Sequence, residues 1–253
     1  MKNLITLFIA GLALMFATFA SAAGIEDMTD TERAAFRAEV RAYLLDNPEV
    51  ILEAIQVLEE RQAQQAAVTD LDLVQQNYDA LVNDGFSFVG GNPDGAITIV
   101  EFSDYRCPYC KRAYTEVMAL LEENDDVRFV LKEFPILGPD STLASQAAIS
   151  VLVNQGPELY EKFHDALMTY NGPINRESLD RIAADVGVDV QKMDDHMDDD
   201  LVNQIIASNR ALAQTMQITG TPTFIIGPEM LRGYAPQATM QEFVDRARQH
   251  LQQ

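Results

Sequence analysis

The sequence predicts an α/β fold: a small mixed sheet flanked by helices and interrupted by a helical insertion, with a separate helical segment in front of it. Three observations lead there. Residues 24–84 carry helical periodicity and no strand signal, whereas residues 96–132 read as strand, helix, strand. The next strand signals come only near residue 223, after a long helical stretch. The chain's two cysteines, Cys107 and Cys110, sit three apart where the first of those strands gives way to its helix.

The chain opens with Lys2, an apolar run from Leu4 to Phe19, and Ala20-Ser21-Ala22, a small-residue cleavage pattern. Residues 1–22 are therefore expected to be a signal peptide; an uncleaved run of this length would instead serve as a membrane anchor. Cleavage removes one lysine and no acid, taking the formal charge from −21 to −22. Such acidity excludes nucleic acid as the expected partner and otherwise favours solubility and mutual repulsion. The expected domains are the signal peptide at 1–22, a helical segment at 23–84, and an α/β domain at 85–253 whose helical insertion spans about 139–217.

In the helical segment, Thr29 and Glu32 have capping-box spacing, and Phe36, Val40, Tyr43 and Leu44 follow at helical intervals to an expected stop near Asp46. Asn47-Pro48 reads as a new start, with Asn47 as cap and Pro48 in the first turn, where its missing N–H is harmless. Ile51, Ile55 and Leu58 form one stripe down to the polar tract 59–65, and a third helix is expected from Thr69 or Asp70, presenting Leu73, Val74, Leu81 and Val82. Apolar faces on such helices need a cover, either another copy of the chain or the chain's own later domain.

From Phe86 the texture changes. Phe86 to Val89, a Gly-Gly-Asn-Pro-Asp-Gly turn, and Ala96 to Phe102 read as two strands, the second buried except for the anomaly of Glu101. A helix from Pro108 to about Glu123 leads to a strand at Val127–Lys132, which should lie parallel to the one before the helix. Helices broken at Gly156-Pro157, Gly172-Pro173 and Gly187 follow; then Thr223–Ile226 and Met230–Gly233 form a hairpin pattern, and Ala238–Leu251 an amphipathic terminal helix.

The cysteine pair carries the chemistry. At a helix start, unpaired backbone N–H groups and the positive end of the macrodipole favour an anion, and such settings lower a thiol from about 8.5 into the range of about 3.5–7.5. Cys107, just before Pro108, would be the thiolate that forms a mixed disulfide, and Cys110, one turn inside and less exposed, would resolve it. The dithiol is its own redox group, so neither a cofactor nor a metal is expected. A zinc site would need a second pair of ligands, haem attachment would need His where Lys111 stands, and a bare structural disulfide would close only a tiny loop. Asp194–Asp200 lacks the alternation and glycine of a calcium loop, and His164 reads as a partly buried helix residue with a satisfied hydrogen bond.

A carboxylate in a buried strand is costly unless compensated, and Lys132 in the neighbouring strand is the expected partner of Glu101. Paired near Cys110, Glu101 would move protons during exchange. Pro222, in Gly220-Thr221-Pro222-Thr223, stands at the mouth of a strand.

Together, Glu101, the Cys107-Pro108-Tyr109-Cys110 motif, Lys132 and Thr221-Pro222 resemble the DsbA family of thioredoxin-like proteins over residues 86–251, helical insertion included. The resemblance implies a thioredoxin-like fold, catalysis by Cys107 and Cys110 with Glu101 and Lys132 in support, and a cis-Pro222 packed against the cysteines. The strand edge beside Thr221 would receive a client peptide by backbone pairing, with Pro108 and Tyr109 also facing it. Asn47-Pro48-Glu49-Val50 and its helices resemble the N-terminal oligomerisation segment of the ScsC-like branch, whose members are periplasmic and act as disulfide isomerases, reductases or oxidases. The implied partners are exported cysteine-containing clients, a membrane redox partner, and further copies of the chain. Tyr109 stands where DsbA itself has His, which weakens thiolate stabilisation, and Thr221 is more like the isomerases. Two other classes stay open: a copper-binding envelope protein using Met193, His196 and Met197, and a redox-silent interaction protein on the same fold.

Overall fold

The structure, a computed structural model, describes residues 28–252, so the expected signal peptide at 1–22 lies outside the described residues. Contacts divide the chain into two compact units at Gln62/Ala63. In the first, α1 (Asp30–Asp46) opens on the expected capping box: the Thr29 side chain accepts from the Glu32 N–H, and the Glu32 carboxylate accepts from the Thr29 N–H at 2.9 Å. Helix α2 (Glu49–Gln76) follows after Pro48.

Asn47 departs from its expected role. Its amide donates to Tyr43 O at 2.9 Å, closing α1 rather than capping α2. The expected break near Thr69 is also absent, because α2 runs for 28 residues and the Thr69 hydroxyl bonds back to Gln65 O. Gln, Glu, Ala and Arg of the polar tract are strong helix formers, and nothing there stops propagation. Phe36, Val40, Tyr43, Ile51, Ile55 and Leu58 are all exposed, and α1 has no buried residue.

The second unit begins inside α2. Val74 near its end and Leu81 and Val82 of α3 (Tyr78–Val82) are buried, so residues 63–84 pack with the sheet domain. Strands β1 (Phe88–Gly91), β2 (Ile97–Ser103) and β3 (Val127–Glu133) flank α4 (Pro108–Glu123). The insertion holds α5 (Pro139–Gln155), α6 (Pro157–Thr169), α7 (Arg176–Asp185), α8 (Val190–His196) and α9 (Asp200–Thr215). The hairpin β4 (Thr223–Ile226) and β5 (Glu229–Arg232) leads to α10 (Gln237–Leu251).

The sheet order is β1-β3-β2-β4-β5. As expected, β2 and β3 pair in parallel; β1 on β3, β4 on β2 and β5 on β4 are antiparallel. Strand β2 is central, and its alternation sorts the two faces. Ile97 and Ile99 point into the larger core with Cys110, Val117 and Leu120 of α4, Phe163 of α6 and Val244 of α10. Val100 and Phe102 point into a second core with Val74, Leu81, Ala213 and Met216. Both faces are covered, which is why β2 reads as a near-continuous apolar run.

Candidate active site

The redox pair sits at the carboxyl end of β2, where the chain turns into α4. Cys107 is the N-terminal cap of that helix and Pro108 its first residue, a position where proline's fixed φ suits the helix and its missing N–H loses nothing. The turn is held from below: buried Asp104 accepts from the Arg106 N–H at 2.8 Å through Oδ1, and from the Ile136 and Leu137 N–H groups at 2.8 and 3.0 Å through Oδ2. This carboxylate ties the end of β2 to the loop after β3.

Identical side chains meet opposite environments here. Cys107 is 5% exposed, and its Sγ lies 3.2 Å from Thr221 O. A hydrogen bond from the Cys110 thiol, helped by the Thr221 hydroxyl and the Cys110 and Tyr109 N–H groups, brings Cys107 down to about 5. Burial, at 0% exposure, and the neighbouring Glu101 and Cys107 charges push Cys110 far up. Both sulfurs are free thiols, so the geometry is that of the reduced dithiol. Tyr109 and Pro108 are exposed between them, and the Thr221-Pro222 peptide bond is cis.

Glu101 lies on the α4 side of β2, opposite Leu131 of β3 and Phe224 of β4. It is 3% exposed, its Oε1 has no hydrogen-bond partner among the described residues, and burial raises it to about 7. The expected pair with Lys132 is not formed. Lys132 sits one residue out of phase with Glu101 and therefore points through the other face of the sheet, where its Nζ meets Asp84 at 2.5 Å and Ala80 O at 3.0 Å. In the notation of the strands, proximity in the ladder is not proximity in space when the partners alternate.

Residues not anticipated from the sequence lie beside Glu101. Glu133, at the last position of β3, accepts from the Tyr105 and Tyr160 hydroxyls and from Ser145, each at 2.7 Å, and burial raises it to about 7. Tyr105 also bonds His164 Nδ1 at 3.0 Å; burial drops His164 to about 3, so the imidazole is neutral. His164 thus has the satisfied hydrogen bond expected of it, but is buried rather than partly buried. Lys111 reaches the carbonyl end of α6 at Leu167 O, 2.9 Å away, and Tyr170 O, where a cation suits the helix dipole.

No cluster of three or more His, Cys, Asp or Glu able to hold a metal occurs among the described residues. Met193 and Met197 are fully buried in the main core, while His196 is turned outward to Asp199 at 2.9 Å, so the three do not converge.

A dithiol at a helix start, backed by a buried acid on a sheet of this order, defines the thioredoxin-like class. Residues 98–245 match the family model of the DSBA-like thioredoxin domain, so the chain belongs to that family of thiol-disulfide oxidoreductases. Residues 32–65 match the N-terminal domain of the copper resistance protein ScsC. Among solved structures, a thioredoxin-like oxidoreductase from Silicibacter pomeroyi DSS-3 is 42% identical, covering 68% of this chain and 98% of that one at a TM-score of 0.65. ScsC of Proteus mirabilis in a transitional conformation is 28% identical, covering 87% and 96% at 0.64. Disulfide bond formation protein D of Bacillus subtilis is 22% identical over 166 residues, 62% of this chain and 74% of that protein. The chain spans only 21% of the Na(+)/H(+) antiporter NhaA 3 of Salinispora tropica, which it matches at 29% identity over 140 residues. No helix among the described residues is long and apolar enough to cross a membrane.

Proposed function

We propose that this chain is a periplasmic thiol-disulfide oxidoreductase that exchanges disulfides with exported proteins through Cys107 and Cys110. The observation that carries this reading is the split between the two thiols: one held as a thiolate at the helix start, the other buried and protonated behind it. Cys107 attacks a client disulfide, or is attacked by a client thiolate when the pair is oxidised. Cys110 then closes or opens the intramolecular bond.

Glu101 acts as the proton acceptor for Cys110, being on the same face and, raised by burial to about 7, able both to take up and to release a proton near physiological pH. The client lies as an extended strand along Thr221-Pro222, with exposed Pro108 and Tyr109 against it. Lys132 acts on the site only through the sheet, by tying β3 to Asp84 in the turn after α3. The redox group is the disulfide itself, with no cofactor or metal, and a membrane redox partner resets it.

The apolar faces of α1 and the start of α2 assemble copies of the chain, which suits isomerase or reductase work: several dithiols then surround one client. Oxidase work is the other direction open to the same dithiol. Both are read by equilibrating the protein with glutathione: a potential near about −120 mV marks a disulfide donor, and one near about −180 mV or below an isomerase or reductase. Insulin reduction that persists in a Cys107→Ala variant would sink the whole reading.

A further inference from the structure

The surface beside the dithiol departs from the rest of the chain in charge. Aspartate and glutamate outnumber lysine and arginine by 39 to 18 over the sequence, so a surface depression chosen at random should be acidic. Yet a pocket of 320 Å³ beside Pro108 is lined by two cations, Arg106 and Lys111, and by no acid among the described residues. Arg106 and Pro108 flank Cys107 in the chain, so the pocket adjoins the reactive sulfur. Neither Thr221 nor Pro222 lines it, which sets it apart from the strand edge proposed for the client's backbone.

The fold builds this pocket rather than leaving it as a gap between loops. Buried Tyr105 and Ile174 form its floor, and half-buried Tyr170, just past the end of α6, forms a wall. Gly172 permits that wall, because a Cβ there would collide with the Tyr170 hydroxyl. The same hydroxyl accepts from Arg181 at 3.1 Å, which fixes the ring and adds a third cation behind it. At about 30 Å³ of liquid per water, the space equals about ten waters, room for one client side chain with its remaining hydration.

The two lining cations are poorly neutralised. Lys111 is half-buried and forms no ion pair among the described residues; its Nζ donates to Leu167 O at 2.9 Å and to Tyr170 O, which leaves one of its three N–H groups. Those carbonyls offer the partial charge of a helix end, so they hold the ammonium without cancelling it. Burial, with no carboxylate to offset it, lowers Lys111 from the usual lysine range. Arg106 pairs with Asp140, but both partners are nearly half exposed, and such pairs are weak enough to be traded for another carboxylate. An anion entering the pocket therefore gains charge-assisted hydrogen bonds from two cations, one of them already partly stripped of water.

We propose that this pocket is a specificity subsite for a carboxylate side chain, Asp or Glu, standing next to the client's reactive cysteine, with Lys111 Nζ and the Arg106 guanidinium as its donors. The inference rests on the dithiol reading above and names the clients on which that dithiol acts best. The client's backbone stays on the strand edge at Thr221-Pro222, and its acidic neighbour reaches past Pro108 into the pocket.

The test uses the intact oxidised protein and reduced peptides that carry one cysteine and differ only in having Glu, Gln or Lys beside it, on either side. Acid-quenched mass spectrometry gives the rate of disulfide exchange at pH 7 in low and high salt. Each rate is divided by that of the same peptide with hydroxyethyl disulfide, which removes the effect of the neighbour on the cysteine's own reactivity. On one side of the cysteine, the glutamate peptide should react about tenfold faster than the lysine peptide, and the gap should narrow in salt. The field of the acidic chain as a whole works the other way, so a preference for glutamate has to come from the pocket. Lys111→Gln should bring the two peptides to within about twofold, and Arg106→Glu should reverse their order. Ratios between peptides cancel any change that a substitution makes in the dithiol itself. Equal rates for the two peptides, a preference for lysine in the parent, or a glutamate preference that survives both substitutions would overturn the inference while leaving the dithiol reading intact. Should Lys111→Gln unfold the protein, Arg106→Glu at its exposed position decides alone. A parent protein that oxidises none of the peptides would overturn the dithiol reading itself, and the subsite with it.

Discussion

Cys107 and Cys110 show how far surroundings divide two identical side chains. The thiolate is the reactive form, so the alkylation rate of Cys107 should rise with pH through about 5 and stay flat to pH 8, read with iodoacetamide on the reduced protein. Because the Cys110 thiol is the largest stabiliser of that thiolate, Cys110→Ala should move the rise to higher pH. Glu101 and Glu133 work in the opposite direction on stability. Both are raised from 4.5 to about 7 by burial, so the folded protein binds more protons than the unfolded chain between those values. Stability is then highest below about pH 4.5 as far as these two groups are concerned, and falls as pH rises through 7. Melting followed from pH 5 to 8 should show that decline, and Glu101→Gln should flatten it while slowing exchange. The anomaly of Glu101 was legible in the sequence because one charge interrupted an apolar run. Its neighbour Glu133 was not, since its partners Tyr105, Tyr160 and Ser145 lie 28, 27 and 12 residues away, and only the fold brings them together.

At the scale of elements, periodicity and turn chemistry placed the helices and strands well, while the pairing of side chains across them escaped. The hairpin at Gly227-Pro228, the breaks at Gly156, Gly172 and Gly187, and the parallel β2–β3 unit all stand where glycine, proline and apolar runs put them. The third helix did not separate from α2, because a polar tract without glycine or proline carries no stop signal. The expected Glu101–Lys132 pair failed on phase. Lys132 is 0% exposed and answered by Asp84, so removing Asp84 strands a buried cation. Asp84→Ala should cost about 3–5 kcal/mol, and adding Lys132→Met should restore most of it, both measured by denaturant unfolding. If Asp84→Ala cost nothing, the anchor between β3 and the turn after α3 would not be what this geometry makes it.

For the whole molecule, two units meet two requirements: a sheet domain whose cores close on themselves, and a leading helical unit whose apolar side chains do not. Phe36, Val40, Ile51 and Ile55 are between 40% and 47% exposed, more apolar surface than a lone helix pair sustains in water. Light scattering on the intact protein should give a multiple of the chain mass, and Ile51→Asp with Ile55→Asp should return it to one chain without loss of the dithiol's reaction with glutathione. A single-chain mass for the parent would contradict assembly through these helices. The central claim is chemical, and a trapped intermediate tests it most directly. Oxidised glutathione is added to the Cys110→Ala and Cys107→Ala variants, and intact mass records which sulfur forms a lasting mixed disulfide. The account predicts a stable adduct on Cys107 when Cys110 is gone, rapid closure of the internal disulfide in the parent, and almost no adduct on buried Cys110 alone. Adducts forming equally on either cysteine, or on Cys110 only, would contradict the division of roles on which the proposed function stands.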